Sequence, residues 1–130
     1  MIADTSFLID LMRKNPQALA KLEEIEKNKE SQYTVSPVVF ELVIGMAMSD
    51  WPEKERQKIK AVLQDFSIFS FDEKDAQPAG ETLGQLFKRG TPIDVVDAQI
   101  GGIALQHNQK VVTRNPNHFE KIPTLKIETY

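Results

Sequence analysis

At 130 residues, 41% of them hydrophobic, the chain has the length of one domain and enough apolar side chains for one sizeable core. It has no cysteine, which removes disulfides, thiolate metal sites and Cys nucleophiles together, and its net charge of −3, with a pI near 5.4, excludes attachment to nucleic acid by bulk charge. No run approaches the roughly 18–20 apolar residues that span a membrane, and Met1-Ile2-Ala3-Asp4 lacks the basic start of a secretion signal, so the expectation is one cytoplasmic domain over residues 1–130.

In chain order, Met1–Asp4 reads as a short buried strand. Phe7, Leu8, Leu11 and Met12 fall at helical spacing, and that helix ends before Pro16. Leu19, Leu22 and Ile25 mark a second helix running to Lys29. Tyr33–Ser36 reads as a second strand, followed by a helix with Ser36 as N-cap and Pro37 at its first position. Val38, Val39, Leu42, Val43 and Met46 give that helix its apolar face, and Asp50-Trp51-Pro52 ends it. Ile59, Val62, Leu63 and Phe66 mark the next helix, with Lys54, Arg56, Lys58 and Lys60 on its wet side. Ser67–Phe71 alternates as a third strand. Asp72 caps a helix reaching Lys88, with an irregular start or a kink expected at Pro78. After Gly90-Thr91-Pro92, Ile93 leads into a late helix; Lys110–Thr113 is a fourth strand and Leu125–Tyr130 a weak fifth at an edge. Strands alternating with helices predict an α/β fold, three-layered α/β/α, around a central, mainly parallel sheet of four to five strands.

Ligands of such sheets bind beyond the carboxyl ends of the strands. Asp4 lies at the end of strand one, Glu41 in the helix after strand two, Asp94 and Asp97 at the start of the late helix, and Asn115 just after strand four. All of these places share one sheet edge. Asp94 and Asp97, three apart in an apolar run with no Lys or Arg, occupy one helix face, where uncompensated charge is costly. The pair admits two readings. Asp94 as N-cap with Asp97 at the third helical position imitates a capping box; alternatively a bound cation meets the charge. Asp4 as a helix cap and Asn115 as a turn residue beside Pro116 are the corresponding plain readings. Carboxylates without thiols or a histidine cluster form a hard-oxygen site suited to Mg²⁺ or Mn²⁺, the apparatus of phosphodiester hydrolysis. Thr5, Ser6 and Thr113 are hydroxyls placed to hold the carboxylates. Lys88, Arg89 and Arg114 flank the predicted cleft as phosphate contacts or as solvated charge. His107 and His118 read as structural or surface residues, and Asp10 as a cap or surface charge.

Asp4-Thr5-Ser6, Ser36…Glu41-Leu42…Gly45, Asp94…Asp97-Ala98…Ile100 and Thr113-Arg114-Asn115…His118-Phe119, in this order and spacing, resemble the PIN-domain nucleases, with the nearest likeness to VapC-type toxins of toxin–antitoxin pairs. The resemblance covers essentially the whole chain, through Ile122-Pro123…Leu125. It implies a Mg²⁺- or Mn²⁺-dependent ribonuclease, commonly a homodimer, acting on RNA and held inactive by a cognate antitoxin. It carries over Asp4, Glu41 and Asp97 as the central acids and metal ligands, with Asp94 at a position that is often acidic and Asn115 at one that is frequently Asp. Gly101-Gly102 stands where small residues are usual, and implies close packing on that helix face. A degenerate, inactive PIN-like binding module is the alternative that the Asn115 departure keeps open; a phosphoacceptor receiver fits poorly, because Asp72 and Lys110 do not supply its acceptor and partner. The helix pair spanning Phe7–Leu11 and Ala18–Ile25 is the surface expected to receive an antitoxin.

Overall fold

A computed structural model describes all 130 residues, Met1–Tyr130. Five short strands, β1 (Ile2–Ala3), β2 (Tyr33–Val35), β3 (Ser67–Phe69), β4 (Val111–Val112) and β5 (Ile127–Glu128), form one sheet in the order β3-β2-β1-β4-β5. Every pairing is parallel: Ile2 stands opposite Tyr33 on one side and Val111 on the other, Tyr33 opposite Ser67, and Val111 opposite Ile127. The two central strands read as unbroken apolar dipeptides because both of their faces are covered; Ile2, Ala3, Val111 and Val112 expose no surface at all.

Six helices connect the strands: α1 (Thr5–Met12) and α2 (Pro16–Lys27), α3 (Ser36–Ala47) and α4 (Pro52–Leu63), then α5 (Glu73–Lys88) and α6 (Val95–Gln106). Parallel crossovers are right-handed almost without exception. The chain steps outward from β1 to β3 and then returns past β1 to β4, so α1–α4 lie on one face of the sheet and α5–α6 on the other, giving three layers. The strand order reverses between β1 and β4, which makes the cleft above those two strands the natural ligand site.

The expected elements are all present, with local differences that have physical reasons. β3 stops at Phe69 rather than Phe71, because the Phe71 N–H donates to Ser36 Oγ at 3.0 Å instead of joining the ladder. That same bond occupies the Ser36 hydroxyl, so Val35, with no side-chain cap, is the N-cap residue of α3. Val43, assigned to the apolar face, is 43% exposed. Asp72 does cap α5, in a reciprocal box with Asp75, and the helix continues through Pro78. Asn15 caps α2 through bonds to the Gln17 and Ala18 N–H groups. α6 is buried on most of its circumference, with Ala98, Ile100, Gly101, Gly102, Ile103 and Ala104 all covered, which is why its sequence is apolar nearly all round. No helix is long and apolar enough to cross a membrane.

Candidate active site

Asp4 leaves β1 directly into α1, and its position is fixed from three sides. Its Oδ1 accepts from the Phe7 N–H at 2.9 Å as the helix N-cap. Ser6 Oγ lies 2.8 Å from Oδ1, and Thr113 Oγ1, at the end of β4, donates to Oδ2 at 2.5 Å. Thr113 in turn accepts from the Asn115 N–H at 2.9 Å, and Ser6 accepts from the Arg114 N–H at 3.0 Å. The ends of the two central strands are thus tied through one carboxylate that is only 5% exposed. Burial pushes its pKa from 3.8 up to about 6, against the opposing pull of the hydroxyl and N–H donors, and the nearby Asp97 adds to the rise.

Glu41 is brought to the same place by α3, where Thr5 Oγ1 donates to its Oε1. Asp97 comes from the first turn of α6. Burial raises its pKa as well, His118 opposes the rise, and Asp94 reinforces it. Asp94 occupies the N-cap position of α6 but makes no side-chain capping bond, so the capping-box reading of Asp94 and Asp97 does not describe this helix. The Asp94 side chain is 79% exposed and faces the same cleft.

These groups line a single cleft of 480 Å³ whose wall includes Asp4, Glu41, Asp94, Asp97 and Asn115, all five of the residues singled out from the sequence. A second hollow, lined by Met12, Leu42 and Ile59 among others, carries only Glu41 from this set. Lys88 and Arg89 do not reach the cleft; they are exposed at the end of α5.

Two participants were not apparent from sequence. Of the structural and surface readings of His118, the contacts favour the structural one: its Nδ1 lies 2.7 Å from Asp97 Oδ2 and 3.8 Å from Asp94 Oδ2. A carboxylate can only accept, so Nδ1 carries the proton of the shorter contact. The neighbouring Phe119, 1% exposed, anchors the loop that presents the ring. The second is Asp10, which is 2% exposed and takes the Arg114 guanidinium at 2.6 Å and the Tyr130 hydroxyl at 2.7 Å. The sequence signal for His118 was its place three residues after Asn115; Asp10 had none, since its partners lie more than a hundred residues away.

Chemically, the cleft gathers four carboxylates. Arg114, its one Lys or Arg side chain, is already engaged by Asp10. Ligand atoms of Asp94, Asp97 and His118 lie within 4.8 Å of one another. Hard oxygen donors gathered in one cleft, two of them (Asp4 and Asp97) held back from ionising chiefly by burial, with no free Lys or Arg beside them, fit a divalent metal ion.

Comparison with known proteins agrees with this architecture. The tRNA(fMet)-specific endonuclease VapC of Salmonella typhimurium is 27% identical over 127 residues, 98% of this chain and 95% of that protein. Ribonuclease VapC1 of Methanocaldococcus jannaschii is 29% identical over 130 residues, covering 100% of this chain and 86% of its own. Among solved structures, VapBC2 from Rickettsia felis bound to a DNA fragment from their promoter superposes with a TM-score of 0.90 at 28% identity, over 99% of this chain and 97% of that one. The PIN domain model matches residues 1–125, and the chain belongs to the PIN-domain family.

Proposed function

We propose that the protein is a metal-dependent endoribonuclease of VapC type, the toxin of a toxin–antitoxin pair. The observation that carries this reading is the convergence of Asp4, Glu41, Asp94 and Asp97 on one cleft above the strand-order reversal, with no free Lys or Arg to neutralise them. The ribonuclease names of the relatives and the VapBC complexes among the structural neighbours support it.

In this reading Asp4, Glu41, Asp97 and Asp94 hold Mg²⁺ or Mn²⁺, and Asn115 completes the site. The bound ion supplies positive charge to the phosphate oxygens and lowers the pKa of water. The chain's own residues do the positioning. Ser6, Thr113 and the Phe7 N–H fix both oxygens of Asp4, Thr5 fixes Glu41, and His118 fixes Asp97. The substrate is RNA. A cognate antitoxin restrains the enzyme, and a second copy of the chain completes a homodimer. Of the helix pair spanning Phe7–Leu11 and Ala18–Ile25, Phe7, Leu8, Ala18 and Ile25 are core. We assign the antitoxin to the apolar groove that the same pair forms with α4, lined by Leu11, Met12, Leu19, Leu22 and Val62.

The test is cleavage of a mixed RNA pool with Mg²⁺ or Mn²⁺. Asp97→Asn is isosteric and keeps an acceptor, so its circular dichroism should match the wild type while cleavage falls by at least about 10²-fold, the loss usual for a group that stabilises developing charge. Cleavage by that variant at the wild-type rate sinks the site assignment. A wild-type protein that cleaves nothing with either ion is the inactive binding module instead.

A further inference from the structure

Arg114 is the one Lys or Arg side chain that lines the acidic cleft, and it is tied at both ends. Its backbone N–H donates to Ser6 Oγ at 3.0 Å, and Ser6 is itself bonded to Asp4. Its Nη1 donates to Asp10 Oδ1 at 2.6 Å. Asp10 is 2% exposed, and its other oxygen is filled by the Tyr130 hydroxyl at 2.7 Å. The Tyr130 ring packs on Phe7 with centroids 5.0 Å apart, which fixes the hydroxyl from behind. Burial, and then the adjoining Asp10, keep that phenol protonated well beyond neutral pH, so it remains a donor to Asp10.

A buried carboxylate is costly unless it is paired or hydrogen-bonded, and a plain ion pair would satisfy Asp10. Two features go further. The Arg114 side chain is 47% exposed although its partner's is only 3% exposed. A guanidinium has five N–H donors in a rigid fork, and Asp10 takes one of them in this structure. The remainder stand at the rim of a cleft whose four carboxylates repel a polyanion. An arginine already immobilised by a buried carboxylate loses little rotamer freedom when it engages a ligand.

We propose that Arg114 is the phosphate clamp of the cleft, gripping the RNA backbone beside the acids, and that Asp10 and Tyr130 are the positioning residues that hold it there. The proposal rests on the ribonuclease reading for its ligand. Its chemistry is bidentate recognition of a phosphodiester by a guanidinium, which a lysine does not reproduce.

The experiment separates the two claims. Wild-type cleavage of the RNA pool tests the ribonuclease reading. The clamp is tested in the Asp97→Asn background, in EDTA, by fluorescence anisotropy of a short labelled single-stranded RNA across a salt series. Adding Arg114→Gln should weaken binding about tenfold, as for one charge-assisted contact, and reduce the salt slope by about one phosphate's worth. Arg114→Lys should recover the slope and not the affinity. Tyr130→Phe, in the active protein, should raise KM several-fold and leave kcat unchanged. Because Arg114→Gln also strips a buried carboxylate of its partner, a second measurement leaves the residue intact: the Arg114 side-chain ¹⁵N resonances of the Asp97→Asn protein should shift on titration with the RNA. Unchanged affinity and slope in a folded Arg114→Gln protein overturn the clamp, and so do side-chain resonances that stay still at saturating RNA. If the wild type cleaves RNA while the clamp tests fail, the ribonuclease reading stands without it. If the wild type cleaves nothing and the resonances still shift, the clamp stands without the reading.

Discussion

Asp4 serves its helix and its cleft with one carboxylate, and the two roles are in tension. As an N-cap it is well placed, since its oxygen satisfies the Phe7 N–H. As a buried anion near Asp97 it is costly, and its pKa of about 6 measures that cost. Asp4→Asn should separate the roles. The amide oxygen keeps the bonds from Phe7 and Ser6, and Thr113 can turn its hydroxyl to accept from the amide NH2 and donate to Ser6 across their 3.3 Å contact. The variant should therefore lose cleavage yet be more stable than the wild type by about 1–3 kcal/mol at pH 7.5 in EDTA. Urea melts at pH 7.5 and pH 4 check this; the advantage should vanish at pH 4, where the wild-type carboxyl is also neutral, and equal stabilities at both pH values contradict it. The acids of the cleft were legible in the sequence because each sits at a fixed point of an α/β unit, just past a strand or in the first turns of a helix. His118 and Asp10 were not, because their roles exist only through space: His118 meets Asp97 across 21 positions, and Asp10 meets Arg114 and Tyr130 across 104 and 120.

Helix ends and helix packing decide how closely the elements frame the cleft. The Gly101-Gly102 pair lets α6 approach its neighbours. A Cβ on Gly101 would run into Ile122 Cδ1, and one on Gly102 would stand 2.8 Å from Ala79 Cβ and 2.9 Å from the Asp75 carbonyl oxygen of α5. The second obstacle is backbone and cannot move aside. Gly102→Ala should thus destabilise by about 1–3 kcal/mol despite its better helix propensity, whereas Gly84→Ala, on α5 with nothing within 4 Å, should stabilise by about 0.5–1 kcal/mol. Thermal melts of the two variants should move in opposite directions; two stabilising substitutions would contradict the close approach. The ends of α1, α2, α5 and α6 share one device. Lys14, Lys29, Gly90 and Asn108 follow the caps with φ of 56°, 55°, 70° and 50°, and the next residue's N–H reaches back to Asp10, Ile25, Leu86 and Ala104 respectively. Only one of the four is glycine. Lys29, exposed and left-handed, is strained, so Lys29→Gly should add about 0.5–1 kcal/mol while Lys29→Ala adds nothing; equal effects from both would put the cause elsewhere. Element type and order were legible because hydrophobic period survives in most of the helices, the apolar run of α6 is too long for a strand of this sheet, and the strands are short apolar runs. Their ends were not, because a lysine gives no sign of a left-handed turn, and because the Ser36 hydroxyl bonds to Phe71 rather than to its own helix.

At the scale of the whole molecule, the cleft couples folding to protons and to metal. Asp4 titrates near 3.8 when unfolded and at about 6 when folded. A raised acid pKa means the folded state holds the proton more tightly, so its burden is absent below 3.8, grows between 3.8 and about 6, and is fully present above. Those two pH units, at about 1.4 kcal/mol each, amount to about 3 kcal/mol from Asp4, and Asp97 acts in the same direction. In EDTA the protein should therefore lose stability as pH rises from 4 to 7. The divalent cation proposed for the cleft should reverse this, since it would bind ionised carboxylates gathered only in the folded state and stabilise by mass action. Below pH 5 a proton holds the Asp4 carboxylate and competes with it. The increase in Tm given by Mg²⁺ or Mn²⁺ over EDTA should be small at pH 5 and grow to its full size by pH 7.5. Asp4→Asn and Asp97→Asn should each flatten that dependence, because each removes a titrating carboxylate that the proposed site gives to the ion. A metal increment independent of pH between 5 and 7.5, or one that survives both substitutions, would mean that the ion binds elsewhere than among these carboxylates.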